Sequence, residues 1–126
     1  MTINIKGNIK NILIFYDRPI LFTSSIDNKL YICVLLQHEQ SIEKWLVTEI
    51  DDFLYKKLIE KEIDFYECFK SSKTERSYIL FIKDQDVTHQ EEINSLEIPD
   101  RLLPQKGVFY RKLNKNEDRI CINKYL

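Results

Sequence analysis

The sequence predicts an α+β domain: a curled antiparallel sheet of five to seven strands with one main helix packed on it. Two observations carry this. Strand-like runs occupy both ends of the chain, with a single stretch of helical period between them, an order that suits one sheet with a helix laid on one face. The links between several of these runs are short and polar, as antiparallel hairpins require. At 126 residues the chain fits one domain, 1–126, able to bury roughly two thirds of its unfolded surface.

Asn11 to Tyr16 and Ile20 to Thr23 flank Asp17-Arg18-Pro19, a break because proline lacks an N–H and restricts the residue before it. Lys29 to Gln37 (KLYICVLLQ) is apolar at both odd and even positions, the pattern of a central strand covered on each side. Asp27-Asn28 before it is turn chemistry. His38 to Ser41 links it to Ile42–Thr48 as a hairpin. Ile50, Phe53, Leu54, Leu58 and Ile59 then form one stripe of a 3.6-residue period, with Thr48 and Asp51 approximating a capping box. Asp64 reads as the N-cap of one further turn, to Phe69. Ser77–Ile82 is again apolar on both faces, and the polar run Val87–Ile93 suits a sheet edge. Pro99 and Pro104 predict an irregular surface segment over 94–107. Val108–Leu113 and Arg119–Tyr125 predict a terminal hairpin. Leu35, Leu46, Leu54, Leu58, Leu80 and Ile82 are expected in one main core, with the Phe53/Leu54/Leu58 edge of the helix on the sheet.

Four short segments resemble a bacterial domain family of unknown function. They are Tyr16-Asp17-Arg18-Pro19-Ile20-Leu21-Phe22, Trp45-Leu46-Val47, Lys61-Glu62-Ile63-Asp64 and Leu103-Pro104-Gln105-Lys106-Gly107-Val108-Phe109. The family pattern is Tyr-Asp-Gly-Pro-x-Leu-Phe near the start, Trp-Leu-Val, Gly-x-Ile-Asp after a short helix, and Leu-Pro-x-x-Gly-(Val/Leu)-Phe late. The resemblance spans about Ile12 to Tyr110 and implies a fold but no activity. Arg18 and Lys61 stand where that pattern has glycine. A positive φ is uncomfortable for a side-chain-bearing residue, so the turn at Asp17-Arg18 is expected to differ from the tight one Asp-Gly would give.

Composition excludes several function classes. There is no alanine, and the two glycines, Gly7 and Gly107, leave no P-loop or Gly-x-Gly-x-x-Gly, hence no cradle for a phosphate or a dinucleotide cofactor. No apolar run approaches the ~18 residues of a membrane span. The start has no charged and then apolar leader pattern. Cys33, Cys68 and Cys121 are odd in number, widely separated and set among apolar residues, as buried thiols are. These features predict a cytoplasmic protein.

Catalysis needs a nucleophile with a base in reach, and the histidines, His38 and His89, fall in a turn and on a polar edge. Asp84, Asp86, His89, Glu91 and Glu92 are the best local donor cluster for a metal, although alternating polar residues ordinarily make a solvated edge. No enzyme, no metal and no cofactor is therefore expected.

Charge is the informative feature. Formal net charge is −1, yet Arg101, Lys106, Arg111, Lys112, Lys115, Arg119 and Lys124 face only Glu117 and Asp118 after residue 100, a net of +5. The reading that follows is a small protein-binding module, a partner, immunity or regulatory protein, that also forms a homodimer. The alternative is a nucleotide or nucleic-acid binder using Arg111, Arg119, Tyr110 and Lys112, since cations meet phosphates and rings stack on bases. The same four residues are the expected partner- or anion-binding site: were Ile120 and Ile122 to face the core, Arg119 would stand near Arg111 across the hairpin and the two would grip a carboxylate or phosphate of the partner.

Overall fold

The computed structural model describes residues 4–71, 76–84 and 86–111. Six strands run β1 (Ile9–Phe15), β2 (Pro19–Ile26), β3 (Lys29–Glu39), β4 (Ile42–Ile50), β5 (Arg76–Lys83) and β6 (Asp86–Asn94). They lie in that same order, every neighbour antiparallel, as one open meander. Two helices, α1 (Asp52–Ile59) and α2 (Phe65–Lys70), fill the connection from β4 to β5.

The hairpins explain the registers. Asp27 and Asn28 have φ of 51° and 64°, and Gln40 and Ser41 have 52° and 68°. Two successive left-handed residues give the type I′ turn whose twist matches the flanking strands, so Ile26 pairs with Lys29 and Glu39 with Ile42. Asn28 suits this geometry; Gln40 and Ser41 adopt it against their preference. Between β1 and β2 the turn is longer: Phe15 pairs with Pro19, Asp17 takes the left-handed φ of 59°, and Tyr16 N–H donates to the Arg18 carbonyl at 2.9 Å. Arg18 is thus spared the left-handed region that proline would oppose. Lys61 is not spared: its φ is 63°. It follows α1 where glycine ordinarily ends a helix, at a cost of about 1–2 kcal/mol for a residue with a side chain.

Side chains alternate across the central strands, and both faces are buried. On the helix side, Leu30, Ile32, Leu46 and Ile50 of the sheet pack with Leu54, Leu58, Phe65, Cys68 and Phe69 of the helices. On the opposite face, Ile12, Phe22, Tyr31, Cys33, Trp45, Val47, Leu80 and Ile82 form a second cluster. That cluster reaches from β1 to β5 on a curled sheet, is capped by Ile5, and centres on Trp45, whose ring meets Phe22 edge-on at 5.1 Å. The expected single core is therefore two: Leu46, Leu54 and Leu58 belong to one, Leu80 and Ile82 to the other. Leu35 is only partly buried: it lies opposite Trp45 on β4 but one residue beyond the β2 pairing, which ends at Leu21 and Val34.

Three further expectations are corrected. Asp51, not Thr48, caps α1, its carboxylate accepting from Leu54 N–H at 2.7 Å. Thr48 lies inside β4 and shares a buried hydroxyl chain with Ser77 (2.7 Å) and Ser95 (2.6 Å from Ser77). Phe53 does not pack on the sheet: it is 60% exposed, because the helix, starting one residue after its cap, turns Leu54 and Leu58 inward instead. The segment after β6 is irregular, as expected from its prolines, but it is not merely a surface loop. Its two 3-10 turns, Ser95–Glu97 and Asp100–Leu102, carry Ile98 and Leu103 into the helix-side core.

Candidate functional site

Strand β6 is the outermost strand of the sheet. Among the described residues it is paired on one side only, with β5, and β1 is likewise paired only with β2. Among the described residues each outer strand therefore leaves one row of backbone N–H and C=O groups unpaired by another strand, of the kind a further strand can use. The two edges differ in character. β1 reads IKNILIF and sinks Ile12 and Leu13 into the two cores. β6 reads DVTHQEEIN and contributes no fully buried residue.

Pairing of Phe81 with His89, Leu80 with Gln90, Ile79 with Glu91 and Tyr78 with Glu92 fixes the faces. His89 and Glu91 share the helix side, with Nε2 and Oε1 at 3.1 Å, and the imidazole lies against the Phe81 ring, centroids 5.6 Å apart. Gln90 and Glu92 share the other side. Gln90 Oε1 is buried and has no hydrogen-bond partner, the one such side-chain atom among the described residues. The pairing slips between Phe81 and Ile82, so Thr88 is an extra residue in β6, and its hydroxyl donates to the Phe81 carbonyl at 3.2 Å. Of the cluster Asp84, Asp86, His89, Glu91 and Glu92, only His89 and Glu91 come together; among the described residues no three His, Cys, Asp or Glu side chains converge.

The basic C-terminal residues are only partly described. Residues 108–111 form no strand, so the first arm of the expected hairpin is not built there. They are instead tied to α2: Phe65 N–H donates to the Val108 carbonyl at 3.0 Å, and Gly107 N–H to Asp64 Oδ2 at 2.8 Å. Asp64 already caps α2 through Glu67 N–H, which leaves its second carboxylate oxygen for this tether. Tyr110 packs partly buried against the helix-side core, a poor position for a stacking platform. Arg111 is exposed. Lys112, Arg119 and Cys121, and with them the paired-guanidinium arrangement, lie outside the described residues.

The two described thiols are chemically quiet. Cys33 is fully buried, and desolvation alone holds its pKa well above the usual thiol value. Burial, with a smaller contribution from Asp51, pushes Cys68 up to about 12. Both stay protonated at neutral pH, and the thiol form is a weak nucleophile. His38 is exposed at the end of β3.

One polar group escaped sequence reasoning. Glu43 on β4 is 7% exposed and shares the face of Trp45 and Val47. Its carboxylate pairs with Lys6, meets Arg18 Nη1 at 3.3 Å and accepts from Trp45 Nε1 at 3.2 Å. The group pins the N-terminal turn and the β1–β2 loop onto β4. An acid at an inward position of an otherwise apolar strand face was the available signal.

No protein-family model, no curated protein and no solved structure matches this chain.

Proposed function

We propose that this chain is a small, non-enzymatic cytoplasmic module that acts by contacting another protein, as a partner, immunity or regulatory protein does, and that it also associates with itself as a dimer. The observation that supports this reading best is β6: a nine-residue edge strand, broken in register only at Thr88, with one row of backbone groups unused among the described residues. Strand addition at such an edge takes affinity from main-chain hydrogen bonds and specificity from alternate side chains. The protonated, buried thiols of Cys33 and Cys68 fit the same reading, since neither offers a nucleophile to a substrate.

The test is affinity purification of the parent chain beside its Glu91→Lys/Glu92→Lys variant, with a labelled single-stranded oligonucleotide as a separate probe. The expected result is a stoichiometric protein partner, or a second copy, that stays with the parent and is lost from the variant. The oligonucleotide should not bind saturably at about 150 mM salt. Saturable oligonucleotide binding that falls steeply with salt, and is lost when Arg111 and Arg119 become Ala, would replace this reading with the nucleotide or nucleic-acid one.

A further inference from the structure

We infer that the occupant of the β6 edge is a second copy of this chain, β6 lying antiparallel to β6 about a two-fold axis that passes beside Gln90. The inference rests on the protein-binding reading above and names the contact by which the chain would pair with itself.

Three observations converge on that register. First, Gln90 sits mid-strand with Oε1 buried and unpartnered, which leaves a desolvated acceptor uncompensated. An axis beside Gln90 sets the two glutamines directly opposite each other. Turned out of its buried position toward the partner, each amide then exchanges N–H and C=O with the other, which satisfies the orphan whichever way the amide is turned. Second, directly opposite residues of a two-fold antiparallel pair have position numbers that sum to twice the axial position. His89 of one copy therefore meets Glu91 of the other, and the reciprocal pair follows by symmetry. These side chains are already neighbours within one copy, 3.1 Å apart, so the interface gathers two imidazoles and two carboxylates in alternation. Third, competing registers are worse. Strand alternation allows only shifts of two residues in the sum. One step one way puts Glu91 opposite Glu91, and one step the other gives up the His89–Glu91 pairs and, past the extra residue Thr88, puts Glu91 opposite Asp86. Like charges directly opposed are destabilising.

The charges on β6 also account for a closed pair rather than a filament. Asp86, Glu91 and Glu92 leave the strand acidic, which discourages indiscriminate edge pairing. In the register centred on Gln90, Glu91 meets His89, and past the extra residue Thr88 the pairing shifts by one, so that Glu92 meets Val87 and Asp86 meets Ile93, and no carboxylate stands opposite another.

Cysteine cross-linking reads the register directly. Across an antiparallel pair, opposite Cα atoms stand about 4.5–5.5 Å apart, within disulfide reach. Gln90→Cys should therefore form a symmetric disulfide dimer on mild oxidation. Val87→Cys and Glu92→Cys should each cross-link poorly alone, but should cross-link with each other when mixed, since the pairing skips Thr88. In sedimentation, His89→Glu should raise the dimer dissociation constant at least about tenfold, two opposed pairs having turned repulsive. His89→Lys should leave the dimer intact. A parent chain that stays dimeric while cross-linking ignores position and His89→Glu has no effect overturns this edge register but leaves self-association standing. A parent that sediments at 15.2 kDa at about 100 μM, a concentration at which only Kd values well above it escape detection, overturns both. Species larger than a dimer, as head-to-tail pairing of β6 with β1 would give, overturn the two-fold.

Discussion

Leu80→Ala is expected to lower the unfolding free energy by about 2–5 kcal/mol, as truncations of fully buried leucine do. Leu80 is 0% exposed and stands on β5 directly across from Trp45 on β4, in the cluster on the face away from the helices. Among the described residues no α-helix packs on that cluster. Its walls are the sheet's own strands, held in register by backbone ladders, with Ile5 of the N-terminal turn over them, so the void should persist and the cost should fall in the upper part of the range. Chemical denaturation with an unchanged slope would show that the loss is one of stability rather than of compactness. A midpoint within a degree or two of the parent's on heating would mean that Leu80 is not packed as described.

The second large effect separates two neighbours on α1. Leu58 is fully buried and Phe53 is 60% exposed, with Lys57 Nζ over the Phe53 ring at 4.7 Å from its centroid. Leu58→Ala should cost about 2–5 kcal/mol, whereas Phe53→Ala should stay within about 0.5 kcal/mol of the parent. A sequence reading places both residues on one apolar stripe, and equal costs for the two would restore that reading. The difference follows from where the helix starts. With Asp51 as the cap, Phe53 is the second residue of the helix and looks outward, while Leu54 and Leu58, four apart, look in.

These two cases mark what was legible in the sequence. β3 and β5 were readable because burial on both faces writes itself as unbroken apolar runs, and β6 because an edge writes itself as polar alternation. What the pattern did not carry was which face each apolar residue takes. Leu46 and Leu80 look alike in sequence, yet the strand pairing sends them to opposite sides of the sheet. Nor did the prolines at 99 and 104 reveal that Ile98 and Leu103 between and beside them are core residues, since an irregular backbone has no period to read. At the candidate site the edge itself was foreseen. Its register was not, because polar alternation over Val87–Ile93 gives no sign of the extra residue at Thr88. The basic C-terminal end drew attention through its charge, but Tyr110 is spent on packing and residues 108–111 on a tether to α2, uses that no charge count discloses.

The claim at the centre is that β6 is the edge by which this chain contacts its partner. Amide hydrogen exchange followed across a protein concentration series measures it most directly, because an amide bonded across an interface exchanges only when that interface opens. Exchange over Asp86–Asn94 should slow as concentration rises, while exchange over Ile9–Phe15, the opposite edge, should not change. Equal exchange over Asp86–Asn94 at every concentration, or slowing confined to Ile9–Phe15, would contradict it.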